Sequence, residues 1–152
     1  MDNFVNYNAT DSLNLPYSLD AEQAVLGCVL MDPTCITIVQ HYLRPECFYL
    51  PQHEAIYSAM LSIDLVGHKI DALVVLEKLK HDNVYDDAAG KQYLFQLASN
   101  IPSVANVEVY AKIVREKYFL RTLINISREI IDTSFGIRNP SDLQPKMVPN
   151  AI

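Results

Sequence analysis

From Ser103 to Ser134 the chain contains neither proline nor glycine, and no other stretch constrains its fold as strongly. Some 30 residues without a breaker, at helical rise, make a rod of roughly 45 Å. The hundred or so residues before it would pack into a body about 33 Å across. The sequence therefore predicts a rod that docks on the body and overhangs it. The helical wheel sharpens this expectation. Val107, Tyr110, Ala111, Ile113, Val114 and Tyr118 cluster around one direction. From Phe119 onward the apolar set is Phe119 with the aliphatic residues Leu120, Leu123, Ile124, Ile126, Ile130 and Ile131, centred on roughly the opposite direction, while Arg121, Arg128, Glu129 and Asp132 fall where the first half is apolar. One straight helix cannot turn two opposed apolar faces to one core. The second half needs another partner, and these six aliphatic residues are the candidate self-association strip.

Upstream, apolar residues recur at helical spacing between breakers, and no run of alternating β-branched residues suggests a strand. The sequence predicts an all-α protein: a body of about five short helices, then one long protruding helix. Ser18 should cap a first helix reaching Met31, with Asp20 and Glu22 favoured by its positive end. Ala21, Ala24 and Gly27 are small residues at three-residue spacing that allow close helix packing. Pro33 is expected at the first position of a short second helix carrying Ile36, Val39 and Leu43. Pro51 opens a third with Ile56, Met60 and Ile63, closed by Gly67 in a left-handed cap. Asp71 caps a fourth, with Leu73, Leu76 and Leu79 on its apolar face. A loop over 82–89 precedes a fifth with Tyr93, Leu94 and Leu97. The expected organisation is a disordered leader over 1–14, a helical body over 15–102, the long helix over 103–135, and an irregular tail over 136–152, where Pro140, Pro145 and Pro149 forbid a useful helix.

Charge excludes one class of function. Residues 1–103 hold 5 Lys and Arg against 13 Asp and Glu, a net of −8, within a whole-chain net of −6. Such a body repels phosphate, so neither direct DNA binding nor a helix-turn-helix role is expected. No catalytic, cofactor or metal site is expected either. No phosphate-cradling glycine loop occurs, and the chain has only 4 glycines. His41, His53, His68 and His81 are scattered; His53 reads as a helix-start polar residue bonding locally. Asp86 and Asp87 read as a solvated loop, and Arg115 and Arg121 as a solvated helix face. Cys28, Cys35 and Cys47 match no zinc spacing, and Cys28 reads as a small buried hydrophobe. Free thiols point to a reducing, cytoplasmic compartment. No apolar run is long enough to span a membrane.

The stretches AEQAVLG (Ala21–Gly27), FYLPQHEAIYSAM (Phe48–Met60), GHKID (Gly67–Asp71) and NIPSVANVEVYAKIVREKYFLRTLI (Asn100–Ile124) occur in this order along Pro16–Ser134. Together they resemble the N-terminal domain of DnaB-type replicative DNA helicases. The resemblance implies a helical body followed by a helical hairpin that pairs subunits into a collar above a motor ring. It implies as partners further copies of the chain, the C-terminal domain of primase, and a helicase loader. ATP and magnesium would belong only to a RecA-like motor domain, which is absent here; the parent protein would be an ATP-dependent helicase, and this chain no enzyme. A second departure lies after Phe135, where the proline-bearing tail stands in place of the second hairpin helix. The main reading is thus a collar domain serving subunit assembly and primase docking; the alternative is a free-standing regulator that binds a replicative helicase or primase and blocks assembly.

Overall fold

Local chemistry starts and stops the helices of the structure, a computed structural model that describes residues 15–84, 87–101 and 103–136. The expected leader over 1–14 and residues 137–152 of the expected tail lie outside the described residues. Among those described there are six α-helices and no strands: α1 (Leu19–Met31), α2 (Cys35–Gln40), α3 (Pro51–Leu65), α4 (Ala72–His81), α5 (Asp87–Ser99) and α6 (Val107–Gly136). Short 3-10 turns occupy Pro45–Cys47 and Val104–Asn106.

The Ser18 hydroxyl accepts from the Ala21 amide at 3.2 Å and starts α1. The Asp71 carboxylate accepts from the Val74 amide at 2.8 Å and starts α4. Such caps are worth about 1 kcal/mol each. Pro51 stands at the first position of α3. Gly67, at φ 79°, follows it in the left-handed conformation that glycine adopts without strain.

Several local expectations are corrected. Pro33 does not begin α2. Asp32 instead closes a side-chain turn, accepting from the Thr34 amide at 3.1 Å and hydroxyl at 2.6 Å, and the helix starts at Cys35. On α4 the buried residues are Val75, Leu76 and Leu79, whereas Leu73 is exposed. At 100° per residue, Leu73 falls well to the side of the face centred near Leu79. Residues 87–89 belong to α5 rather than to a loop. The long helix begins at Val107, after a 3-10 turn capped by Ser103, and runs 30 residues to Gly136.

The described residues divide into two compact units, one within Tyr17–Tyr118 and one that combines Phe119–Gly136 with Leu15 and Pro16. In the first, α1 packs on α5 and α3, and α4 packs on α3 and α5. The core includes Val25, Leu26 and Val29 of α1, Ile56, Tyr57 and Met60 of α3, Val75 and Leu79 of α4, and Leu94 of α5. Val107, Ala111 and Val114 close it from the first half of α6. Each fully buried aliphatic side chain stabilises by about 1.5–3 kcal/mol. Gly27 permits the approach of α1 to α5, because a Cβ there would collide with the Leu97 carbonyl oxygen and the Ile101 side chain. Tyr42, just past α2, donates its hydroxyl to Glu108 at 2.6 Å, and the Arg115 guanidinium lies 4.9 Å from its ring centroid. Cys28, Cys35 and Cys47 are free and buried. In the second unit the guanidinium of Arg121 donates to the Pro16 carbonyl at 2.8 Å.

Candidate functional site

Polar residues sit on two stripes that are otherwise apolar. Glu22 lies one turn before Val25 and Leu26 on the buried face of α1, and His53 lies one turn before Ile56 and Tyr57 on the buried face of α3. Glu22 is 1% and His53 0% exposed. Burying a carboxylate demands full compensation by hydrogen bonds, and the fold supplies three. The Glu22 carboxylate accepts from the Tyr49 amide at 2.8 Å, from the Leu50 amide at 3.4 Å and from His53 Nδ1 at 2.8 Å. It thereby caps the start of α3 from another helix, since Leu50, the N-cap residue, makes no side-chain cap of its own. The other ring nitrogen, His53 Nε2, bonds the hydroxyl of Tyr93 on α5. The Gln23 amide donates to the same hydroxyl at 3.3 Å. Burial, more than the nearby Glu22 charge, holds the Tyr93 phenol above its ordinary value despite the opposing Gln23 hydrogen bond.

Gln23 and Tyr93 bring this buried chain out to a groove. About 460 Å³ in volume, it is bounded by the start of α1, the end of α5 and the first half of α6. Its apolar floor is Ala21, Ala24, Leu97, Ile101, Tyr110 and Ile113, and its polar rim Ser18, Asp20, Gln23, Tyr93, Gln96 and Asn100. An apolar floor between helices with a ring of amides and one carboxylate suits an amphipathic helix laid across it.

A different surface lies on the second half of α6. Of the six residues expected to form an apolar strip, Leu120, Leu123 and Ile130 are exposed, at 39%, 60% and 39%, and Ile124, Ile126 and Ile131 are half-buried. Phe119 and Phe135 add exposed rings at 54% and 84%. Arg121 departs from its expected solvated role. It is 7% exposed, continuing the four-and-three spacing of Val107, Ala111, Val114 and Tyr118 along the helix.

Sequence reasoning placed His53 in a local role, which is overturned, and Glu22 at a helix dipole, where it does stand in the first turn of α1 but bonds partners outside that helix. Their partners stand 31 and 40 residues from His53, and 27 and 28 residues from Glu22 for the capped amides. The available signal was their register, a polar residue on an apolar stripe. Among the described residues, no group of three or more His, Cys, Asp and Glu is placed to hold a metal ion, and no helix is long and apolar enough to cross a membrane.

The helix order, the caps and the long final helix define the class, an all-helical domain that ends in one long helix. A crystal structure of the N-terminal domain of DnaB helicase from Mycobacterium tuberculosis superposes with a TM-score of 0.81 at 33% identity, covering 91% of this chain and 96% of that one. Residues 14–116 match the family described as DnaB-like helicase N terminal domain, and the chain belongs to that family. The replicative DNA helicase DnaC of Bacillus subtilis is 37% identical over 129 residues, 83% of this chain. The replicative DNA helicase DnaB of Geobacillus stearothermophilus is 39% identical over 128 residues, 84% of this chain. The chain spans 28% of the length of each of these two relatives.

Proposed function

We propose that this chain acts in DNA replication as the collar domain of a replicative helicase, joining subunits through the second half of α6 and receiving primase on the groove of the first unit. The observation that carries the reading is the family membership over residues 14–116, which cover all but the last two residues of that unit. The groove supports the docking half of it. The net charge of −8 over residues 1–103, with Asp20 on the groove rim, favours a helix with a basic edge over nucleic acid. The exposed Leu120, Leu123 and Ile130 support the assembly half, since apolar residues repeated along one helix are seldom left to water. The chain performs no catalysis in this role and binds no nucleotide, and three free thiols suit the cytoplasm.

The test is calorimetric titration of a primase C-terminal domain into the whole chain. Binding at micromolar concentrations is expected, weakened about tenfold, or 1.4 kcal/mol, by Ala24→Phe, which fills the groove. No heat and no complex at high micromolar concentration would contradict the docking role. Full affinity in Ala24→Phe would move the site elsewhere.

A further inference from the structure

The hydrogen bonds between Glu22 and the groove have a direction. An ionised carboxylate only accepts, so Nδ1 of His53 carries the hydrogen that Glu22 receives at 2.8 Å. In the neutral ring Nε2 then has a lone pair, and it faces the Tyr93 hydroxyl. That hydroxyl has one hydrogen. Its oxygen already accepts from the Gln23 amide at 3.3 Å, so its hydrogen goes to Nε2. Every donor therefore points inward, from Gln23 to Tyr93 to His53 to Glu22. No member of the chain is idle, and only its outer members, Gln23 and Tyr93, line the groove.

A proton added to His53 must enter at Nε2, the one ring position without a hydrogen. Nε2–H then donates to the Tyr93 oxygen, and the displaced hydroxyl hydrogen has to find an acceptor on the groove side. Gln23 provides one if its amide turns over and offers Oε1. The amide nitrogen, formerly committed to Tyr93, then faces the groove. We propose that protonation of His53 reverses the two outer hydrogen bonds, with Nδ1 still donating to Glu22, and switches the Gln23 edge of the groove from hydrogen-bond acceptor to donor, a pH-sensitive device built into the wall of the docking surface.

The surroundings leave few competing groups. Glu22 from α1 and Tyr93 from α5 are the titratable side chains that bond the ring. Phe48 packs edge-on at 6.5 Å between centroids and carries no charge. On the same helix Tyr57 commits its hydroxyl to the Leu43 carbonyl at 2.9 Å, and Glu54 is exposed. The charged residue on the groove rim is Asp20.

The effect on a docked helix rests on the docking role proposed above; the reversal itself does not, and its test uses no ligand. Nitrogen NMR of the whole chain, labelled at histidine and glutamine, follows both ends of the relay as the pH falls. At neutral pH the His53 ring should show hydrogen on Nδ1 and a lone pair on Nε2. On acidification it should gain the second hydrogen, and the Gln23 side-chain amide should shift with the same midpoint. Tyr93→Phe should leave His53 titrating and Gln23 indifferent to it. His53→Gln should abolish the Gln23 response, and decides the matter if Tyr93→Phe does not fold. Asp20→Asn should leave the shared midpoint in place. Hydrogen on Nε2 at neutral pH, a Gln23 amide that ignores the protonation of His53, or a ring that stays neutral until the domain unfolds would each overturn the proposal. A primase titration that fails while these resonances move together would remove the docking role and leave the relay standing.

Discussion

Tyr17–Tyr118 and the second half of α6 handle their difficult residues in opposite ways. In the first region even a buried carboxylate is satisfied by three donors within the same unit. Exposed aliphatics such as Leu65 and Val66 gather at a helix end. On residues 119–136 the exposed apolar residues Phe119, Leu120, Leu123, Ile130 and Phe135 recur along a helix that carries no breaker until Gly136. One region meets its requirements internally; the other leaves large apolar side chains exposed. Damage to the first should therefore be read in stability, and damage to the second in association.

The largest loss of stability is expected from Glu22→Ala. It strands two backbone amides and the His53 ring, and breaking a buried pair of this kind costs about 3–5 kcal/mol. Urea denaturation should show a correspondingly lower midpoint, with the slope unchanged. An effect below about 1 kcal/mol would place the carboxylate near water and erase the contrast between the regions.

Next comes Gly27→Ala. The new methyl group meets the Leu97 carbonyl, which is backbone and cannot swing away. Overpacking of this kind costs about 1–3 kcal/mol. The same melt reads it, and a neutral outcome would show that α1 and α5 can separate freely.

A third effect is alkaline. Burial, helped by the Cys35 charge, pushes the Cys28 thiol up from 9.0 to about 11, and burial raises the phenols of Tyr57 and Tyr93 as well. The folded state thus keeps protons that the unfolded chain releases. The stability tied to Cys28 is complete below pH 9.0 and falls as the pH rises through about 11. Urea midpoints at about pH 8 and about pH 10.5 should differ in that direction. A rising midpoint would contradict the buried placement of these groups.

The features legible in the sequence were those whose cause is local. Ser18 and Asp71 bond amides three residues on, Pro51 starts a helix by its own ring, and Gly67 ends one by its own φ. The uninterrupted long helix was legible for the same reason. The Glu22–His53–Tyr93 chain was not, because its members come from three helices and a linear chain does not display which helices will be neighbours. Leu73 was misread because leucine suggests burial wherever it stands, whereas its angle on the wheel places it off the buried face. Arg121 was misread because its role depends on the Pro16 carbonyl, 105 residues away. The groove, likewise, exists only once α1, α5 and α6 are assembled.

The contrast between the two regions is tested most directly by sedimentation of the chain at tens of micromolar, alone and as the double variant Leu123→Asp with Ile130→Asp. Glu129→Ala with Asp132→Ala, exposed on the same helix, serves as the control. The parent and the control should sediment as oligomers and the double variant as a monomer, with its unfolding midpoint within about 0.5 kcal/mol of the parent in stability. A parent chain that is already monomeric at that concentration would contradict the account.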